Sequence, residues 1–322
     1  MREHRFLYVA DLHGSETIYN KVINAAAFYK VNEIVVGGDL TGKMLFPIIQ
    51  LANGDYIVNY FGEKRTVGSN KIEEVKKEIR RSGNYFAVMN NSEYEDYVAD
   101  KNKIKDLFIE TMLDSLKKFF YKAELKLREQ RVKLYMIPGN DDYIEIGNFV
   151  NNYSSDVITP FEDKAVEFTN GFFLAGFGYS NPTPWNSPRE MSEDMIYEKL
   201  KSVTSTLDAN RTILVVHPPP MGCIIDKAPK LNDFKLVMKG SEVEMISVGS
   251  KSTRRIIEEF EPMLSLHGHI HESGGVDYLK GVSSERIIPC FNSGSEYSEG
   301  FLKGVLIGLK DKDLGSHVFV RG

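Results

Sequence analysis

The sequence predicts an α/β fold in which buried strands alternate with helices. Three mostly apolar runs, at residues 6–10, 33–37 and 212–216, have the length and composition of strands that are buried on both faces. Helical periodicity lies between such runs, most clearly over residues 103–130. A length of 322 residues is enough for one large α/β domain or for two smaller ones.

Composition and charge narrow the class of protein. Hydrophobic residues make up 42% of the chain and charged residues 26%, as in ordinary soluble globular proteins. The net charge of −5 disfavours a general nucleic-acid-binding surface, so extended nucleic acid is not an expected partner. No apolar run approaches the ~18 residues that span a membrane, and the N-terminus lacks the apolar core of a signal peptide. We therefore expect a cytoplasmic enzyme or binding protein without a membrane partner.

The first two predicted strands each lead into a carboxylate. The strand at residues 6–10 is followed by Asp11-Leu-His13, and a helix is expected to begin near Ser15. The second strand runs through two glycines into Asp39. In open α/β sheets the carboxyl ends of the strands are where ligands bind.

The middle of the chain has two different patterns. Residues 55–67 read as a hairpin and residues 71–81 as a short helix, which together predict an inserted subdomain at about 51–100 in a single domain of 1–322. The helix predicted at 103–130 carries one apolar stripe that should pack on the sheet. The stripe consists of Ile104, Phe108, Met112, Leu116, Phe119, Ala123 and Leu127.

The second half of the chain repeats the pattern of strands that end in polar residues. A strand at 132–137 leads into Asn140-Asp141-Asp142, and the strand at 212–216 leads directly into His217. Further strands are predicted at 172–177, 304–309 and 317–320, and a helix at 250–260. The proline-rich loop at 179–188 is either a stiff surface connection or a wall of the substrate pocket. Cys223 and Cys290 are expected to be buried rather than reactive or disulfide-bonded.

Three of the seven histidines lie at alternate positions in residues 266–271. In an extended segment, side chains two apart share a face, so His267, His269 and His271 could all point at one spot. Imidazole is the commonest metal ligand in proteins. The stretch therefore predicts a metal site, unless the histidines simply pack within a strand.

The strand ends together predict a metal centre rather than isolated caps and turns. Taken singly, each polar residue could cap a helix or form a turn. Mixed nitrogen and oxygen ligands suit borderline divalent metals better than calcium. These candidate ligands exceed what one tetrahedral ion uses, so two ions that share a bridging carboxylate are the simplest solution. The polar residues at the strand ends are Asp11, His13, Asp39, Asn140, Asp141, Asp142, His217, His269 and His271.

The order of these motifs resembles that of the calcineurin-like dinuclear metallophosphoesterases. The resemblance rests on five motifs, Asp11-Leu-His13, Gly38-Asp39, Gly139-Asn-Asp-Asp142, His217 and Gly268-His-Ile-His271. The proline-containing segments after Ser180 and after His217 also resemble the corresponding segments of a prokaryotic subgroup of Icc-related predicted phosphoesterases. The resemblance implies two mixed β-sheets packed face to face with flanking helices, a four-layer α/β/β/α sandwich.

The resemblance also implies a site and an activity. The first ion would be held by Asp11, His13, Asp39 and His271, and the second by Asp39, Asn140, His217 and His269, with Asp39 bridging. Manganese, iron, zinc or nickel are the expected metals. The implied reaction is hydrolysis of a small phosphorylated substrate, such as a nucleotide, by a hydroxide that bridges the ions. The residues implied to take part in catalysis are Asp141, His217 and Asn140.

Asp141 departs from the family pattern, which has histidine at this position as a general acid or as a charge stabiliser. An aspartate beside two cations is expected to be ionised, and hence a poor proton donor that repels phosphate. General acid catalysis contributes typically 10²–10⁴-fold, so its loss favours substrates with good leaving groups or little negative charge. The substitution thus predicts a phosphodiesterase. Alternatively, Asp141 could hydrogen-bond His217 or a metal-bound water.

Three rival functions stay open at this point, of which a nuclease is the weakest because the net acidity gives no electrostatic attraction to a polyanion. A phosphomonoesterase or nucleotidase would use the same metals and the same ligands. A non-catalytic, metal-bound scaffold would instead bind a partner through residues 51–100.

Overall fold

The computed structural model describes residues 3–310 and 313–322 of this chain. Its helices are α1 Glu16–Tyr29, α2 Ile72–Arg81, α3 Asn91–Ala99, α4 Lys101–Gln130, α5 Ile144–Asn151, α6 Glu193–Thr204 and α7 Lys251–Phe260. Its strands are β1 His4–Val9, β2 Glu33–Gly37, β3 Leu45–Gln50, β4 Tyr56–Tyr60, β5 Glu63–Val67, β6 Tyr85–Asn90, β7 Lys133–Ile137, β8 Ile158–Pro160, β9 Ala165–Glu167, β10 Phe173–Phe177, β11 Thr212–Val216, β12 Lys227–Pro229, β13 Leu231–Asn232, β14 Lys235–Leu236, β15 Met238–Lys239, β16 Glu242–Val243, β17 Met245–Ser247, β18 Leu264–His267, β19 Gly275–Lys280, β20 Ile287–Asn292, β21 Lys303–Lys310 and β22 Asp313–Arg321.

Most of the strands form two six-stranded mixed sheets. The first sheet has the order β22-β21-β1-β2-β7-β8, in which β1, β2, β7 and β8 are parallel and β21 pairs antiparallel with both β1 and β22. The second has the order β19-β20-β18-β11-β10-β9, with β10, β11, β18 and β20 parallel. Because parallel strands point the same way, their carboxyl ends lie side by side at one edge of each sheet.

The two sheets pack face to face and are covered by helices on both outer faces. Phe6, Tyr8 and Tyr135 of the first sheet lie in one buried cluster with Leu174 and Ile213 of the second. The outer face of the first sheet packs against α1, α4 and α5, and that of the second against α6 and α7. The predicted four-layer α/β/β/α sandwich is confirmed.

Helix α4 follows the predicted stripe with one exception. Ile104 is 38% exposed, whereas Ile109 and Phe120, which the stripe did not include, are buried. The buried stripe is broader than predicted because α4 packs between two helices as well as on the sheet: Phe119 stacks on Tyr19 of α1, and Phe120 lies against α5. No helix in the described part of the chain, α4 included, is long and apolar enough to cross a membrane.

The region predicted as an insertion is a separate four-stranded sheet, β5-β4-β3-β6, with its own small core. The predicted hairpin corresponds to β4 and β5, and the predicted helix to α2. The sheet begins at Leu45, ahead of the predicted boundary at residue 51, and β3, β6 and α3 were not foreseen. Pro47 within β3 obscured that strand, because proline is disfavoured inside strands. A single domain with an insertion remains a prediction.

The two cysteines are buried and unpaired, as expected. Burial raises the pKa of the Cys223 and Cys290 thiols to about 12. Both thiols therefore stay protonated and are poor nucleophiles at neutral pH.

A buried ion pair supports the loop that follows β7. Arg189 is 1% exposed, forms a salt bridge with Glu162 and donates from Nη1 to the carbonyl of Gly139 at 2.8 Å. Its guanidinium also lies over the ring of Tyr179, 4.1 Å from the centroid. The pair thus joins the loop after β7 to the proline-rich loop.

Replacing Arg189 with methionine should destabilise the protein by about 3–5 kcal/mol, because the carboxylate of Glu162 would remain buried without a partner. The matched control is Arg65→Ala, which removes an arginine from the exposed pair with Glu63 and should leave the free energy of unfolding nearly unchanged. Urea unfolding at neutral pH measures both values. A loss for Arg189→Met no greater than that for Arg65→Ala would contradict this account.

Candidate metal centre

Four side chains from three strand ends converge on one point. Asp11, His13, Asp39 and His271 each offer a ligand atom, and these atoms all lie within 4.8 Å of one another. The Nε2 atoms of His13 and His271 are 3.0 Å apart. His13 Nε2 lies 3.5 Å from Asp39 Oδ2, and His271 Nε2 lies 3.6 Å from Asp11 Oδ1. Two carboxylates and two imidazoles at these separations could hold one divalent ion.

A second group of polar atoms lies beside the first. His217 Nε2 is 3.4 Å from Asp39 Oδ1, whereas His13 approaches the other oxygen of that carboxylate. His217 Nε2 and Asn140 Oδ1 are buried and have no hydrogen-bond partner within the described residues. Buried polar atoms are nearly always paired, so two unpaired atoms next to a shared carboxylate fit a cation.

The tautomer of His217 is set by the backbone. Its Nδ1 lies 2.7 Å from the carbonyl oxygen of Gly37, to which it can only donate. A neutral ring with its proton on Nδ1 offers a lone pair on Nε2, which is the usual arrangement in ligating histidines.

His269 follows the strand that ends at His267 and turns into the site. Its backbone N–H donates to both carboxylate oxygens of Asp11, at 3.0 and 3.1 Å. Its ring lies 5.3 Å from that of His217, measured between centroids. Burial and the neighbouring charge of His217 lower the pKa of His269 to about 3, so the imidazole is neutral and able to bind a metal.

The three alternate histidines do not share a face as the extended reading required. β18 ends at His267, and His269 has a left-handed backbone with φ of 66°, so the alternation stops there. Both ring nitrogens of His267 are engaged, Nδ1 with the carbonyl of Val216 and Nε2 with Ser265 Oγ. His267 is therefore a buried strand residue without a free ring nitrogen, and of the three histidines the four-residue cluster contains His271.

The charges at the centre strongly favour cations. Burial alone would raise the pKa of Asp11, but His271 and His217 outweigh it and lower that pKa to about 2. In the opposite sense, burial would lower the pKa of His217, but Asp39 and Asp11 raise it to about 9. Two buried carboxylates therefore create a potential that imidazolium or a metal ion can satisfy.

Strained backbone delivers four of the side chains. Asp11, His13, Asp39 and His269 all have positive φ, between 43° and 66°. Such conformations cost about 1–3 kcal/mol each and persist only where the surroundings enforce them. Their concentration at one point supports a functional role for this edge of the sheets.

Asp142 holds the loops after β2 and β7 together. Its buried carboxylate accepts bonds from the backbone N–H groups of Leu40, Thr41 and Gly139 and from the Thr41 hydroxyl, at 2.6–3.0 Å. Burial and the charge of Asp39 raise the pKa of Asp142 to about 6. Asp142 is therefore a loop anchor.

Asp141 has partners that its sequence neighbourhood did not reveal. Its Oδ2 lies 2.6 Å from the ammonium nitrogen of Lys43, and its Oδ1 accepts from Ser187 Oγ at 2.7 Å and from Asn140 Nδ2 at 3.0 Å. Neither His217 nor another imidazole of the described residues is within hydrogen-bond distance of its carboxylate, so the alternative of a bond to His217 was wrong. Ser187 brings the inner end of the proline-rich loop to the site, while Trp185 is 63% exposed.

Sequence reasoning missed Lys43, Ser187 and Tyr297. The Tyr297 ring packs on His13, with centroids 4.4 Å apart. None of these three residues lies in a motif or directly after a predicted strand. Ser187 had one signal, its position in the proline-rich loop that was considered as a pocket wall.

Comparisons with known proteins identify a family. A profile of the family described as calcineurin-like phosphoesterase matches residues 4–273. The uncharacterized protein MJ1162 of Methanocaldococcus jannaschii is 33% identical over 150 residues, which are 46% of this chain. The match spans 60% of the length of that curated relative.

Two solved structures resemble the chain along its length. One is 16% identical over 99% of both chains, at a TM-score of 0.58. TT1561 of Thermus thermophilus is 13% identical over 98% of this chain and 99% of its own, at a TM-score of 0.48. At 16% identity, the first likeness concerns the fold alone.

The close approach of Gly139 to Asp39 generates a prediction about the metal centre. A Cβ at Gly139 would lie 2.1 Å from Asp39 Oδ1 and 2.2 Å from its backbone nitrogen. Gly139→Ala should therefore displace Asp39 and weaken metal affinity about 10- to 100-fold, as other changes that misplace a ligand do. The control is Gly275→Ala, whose Cβ would meet nothing nearer than 3.8 Å. Elemental analysis after dialysis measures the bound metal, and equal content in the two variants would refute the prediction.

Proposed function

The chain belongs to the calcineurin-like phosphoesterase family, and from this premise we propose that it is a metal-dependent phosphodiesterase. The observation that carries the proposal is the pair of adjacent donor groups around Asp39, one with four ligand atoms and one with unpaired His217 and Asn140 atoms. We further propose that its substrates are small phosphorylated compounds and that the enzyme is cytoplasmic.

Two divalent ions would occupy the centre. The first would be held by Asp11, His13, Asp39 and His271. The second would be held by Asp39, Asn140, His217 and His269. When bound, such ions act as Lewis acids toward phosphate oxygens and lower the pKa of water toward about 7. Manganese, iron, zinc and nickel all fit this mixed donor set.

The remaining chemistry belongs to the protein. Asp39 has one oxygen facing His13 and the other facing His217, an arrangement suited to a bridging carboxylate. The Gly37 carbonyl fixes the His217 ring, and the Asp141 backbone N–H fixes Asp39 by donating to Oδ1 at 2.9 Å. These contacts hold the donors in place before a substrate arrives, which reduces the reorganisation that the reaction requires.

The preference for diesters follows from the charge at Asp141. Lys43 offsets the carboxylate, so this corner is about neutral, whereas a protonated histidine would make it positive. The two negative charges of a monoester dianion gain little stabilisation from a neutral corner. The single negative charge of a diester needs less stabilisation from the protein. The scaffold alternative is less well supported, since every ligand that the family resemblance requires is present.

The first test is an activity panel with defined metals. Protein stripped with a chelator and reloaded with Mn²⁺, Fe²⁺, Zn²⁺ or Ni²⁺ should hydrolyse aryl phosphodiesters faster than aryl monoesters, with cyclic nucleotides as a third substrate class. Activity should be absent after stripping and in Asp39→Asn, which cannot bridge two ions as a carboxylate does. Faster hydrolysis of aryl monoesters than of aryl diesters would show that the enzyme is a phosphomonoesterase and not a phosphodiesterase. No turnover with bound metal would favour a binding role.

The second test concerns the number of ions. Wild-type protein should bind about two divalent ions per chain, and His217→Ala about one, because only the second group loses a ligand. His267→Asn is a suitable control, since that histidine is buried nearby but has both ring nitrogens bonded. Calorimetric titration and elemental analysis give the stoichiometry. Two ions bound to His217→Ala with unchanged affinity would rule out the proposed second group.

A further inference from the structure

Lys43 lies beside Asp141, the residue that stands where the family pattern has a histidine. Its ammonium nitrogen is 2.6 Å from Asp141 Oδ2, and its side chain is 42% exposed. Asp141 is the only carboxylate within 4.0 Å of this nitrogen among the described residues. An ammonium group has three N–H donors, so this ion pair leaves donors available for a ligand.

The backbone before Lys43 is firmly held. Thr41 donates from its nitrogen and its hydroxyl to Asp142, and the Gly42 nitrogen donates to the Tyr85 hydroxyl at 3.0 Å. A Cβ at Gly42 would lie 2.0 Å from the carbonyl oxygen of Gly83, so this segment is closely packed. Lys43 therefore projects from a fixed position.

Asp141 is fixed as well, because both of its oxygens are engaged. Ser187 and Asn140 donate to Oδ1, and Lys43 is bound at Oδ2. The carboxylate thus orients the ammonium group. Its charge and that of Asp39 raise the pKa of Lys43 above the usual value, although burial opposes the shift. The group is therefore positively charged at neutral pH.

We propose that Lys43 replaces the family histidine in contacting substrate: its ammonium group binds the phosphoryl oxygens and stabilises the negative charge that they gain in the transition state. Asp141 is a positioning residue for Lys43. The inference rests on the proposed phosphoesterase function and deepens it. A preorganised donor aimed at developing charge is worth about 10²–10³-fold in rate.

Lys43 acts by its charge and does not transfer a proton. In the hydrolysis, the oxygen of water forms a bond to phosphorus and the bond from phosphorus to the leaving oxygen breaks. The leaving oxygen keeps the electron pair and takes its proton from solvent, while the proton of the attacking water is released to solvent. Acidic alcohols and phenols leave most readily under these conditions, which agrees with the preference expected from the sequence.

The test compares four variants of the metal-loaded, full-length protein on an aryl methyl phosphodiester. Lys43→Ala should lower kcat about 10²–10³-fold, and Lys43→Arg should retain more activity because it restores a cation. Added methylammonium should partly rescue Lys43→Ala. Asp141→Asn should lower kcat less than Lys43→Ala does. The matched control is Lys199→Ala, since Lys199 forms a similar pair with Asp163, at 2.7 Å and 49% exposed.

Two readouts separate a contact with substrate from a structural role. Elemental analysis should give the same metal content for wild-type protein and Lys43→Ala. Calorimetry with inorganic phosphate should show at least about tenfold weaker binding to Lys43→Ala than to wild type, as expected for a lost charged hydrogen bond. Lys199→Ala should match wild type in both measurements.

The outcomes distinguish this inference from the function on which it rests. If wild-type protein is active and Lys43→Ala keeps full activity and phosphate affinity, the proposed role of Lys43 is wrong, but the proposed phosphodiesterase function is unaffected. If Lys43→Ala loses activity together with its bound metal, the lysine supports the centre instead of contacting substrate, and the inference is again overturned. If wild-type protein binds two ions and hydrolyses no phosphoester, both proposals fail.

Discussion

The burial of two carboxylates side by side is the constraint on which the site depends. Asp11 and Asp39 are each 1% exposed at the carboxyl ends of adjacent strands. An isolated carboxylate in such a place costs several kcal/mol, and the cost is offset only by charge and hydrogen bonds. The offset comes from imidazoles on the opposite sheet, His217 and His271, and from the backbone N–H of His269. Neither sheet can form this centre alone, so the face-to-face packing and the metal-binding potential arise together.

The same constraint explains why the loops are strained and tightly packed. To aim at one point, the side chains leave their strands through left-handed backbone at Asp11, His13 and Asp39, at a cost of about 1–3 kcal/mol each. Bonds between loops hold these conformations: Asp11 N–H donates to the Gly38 carbonyl, His13 N–H to the Asp39 carbonyl, and Asp142 ties the loop after β2 to that after β7. The strain is tolerated because these bonds and the buried carboxyl ends of the strands beneath enforce the conformations.

The parts of the structure that could be predicted are those with a local signal. Strands β1, β2 and β11 could be predicted because they are apolar runs. The polar residues after them were recognisable as candidate ligands because the carboxyl edge of a parallel sheet binds ligands. Strand β3 could not be found in this way, because Pro47 conflicts with strand propensity; it lies where β3 pairs with β6 but not with β4. The end of β18 could not be predicted either, because an alternating sequence pattern does not reveal that the backbone of His269 has a positive φ. Lys43 and Ser187 reach Asp141 from distant parts of the sequence, and single-sequence patterns carry no information about such contacts.

Asp141 illustrates why a substitution in a motif has to be interpreted with its neighbours. Considered alone, an aspartate in place of histidine adds a negative charge beside the phosphate and removes a donor. In the folded protein the charge is offset by Lys43 at 2.6 Å, and Ser187 and Asn140 satisfy the other oxygen. The cation that histidine would supply is thus provided by a different segment, and the aspartate becomes the group that orients it. This arrangement differs from histidine in one physical respect, because an ammonium held beside a carboxylate is a weaker acid than imidazolium. A charged hydrogen-bond donor is therefore retained, although the net charge of the Lys43–Asp141 pair is about zero. Proton donation is lost, so selectivity should depend on the acidity of the leaving group.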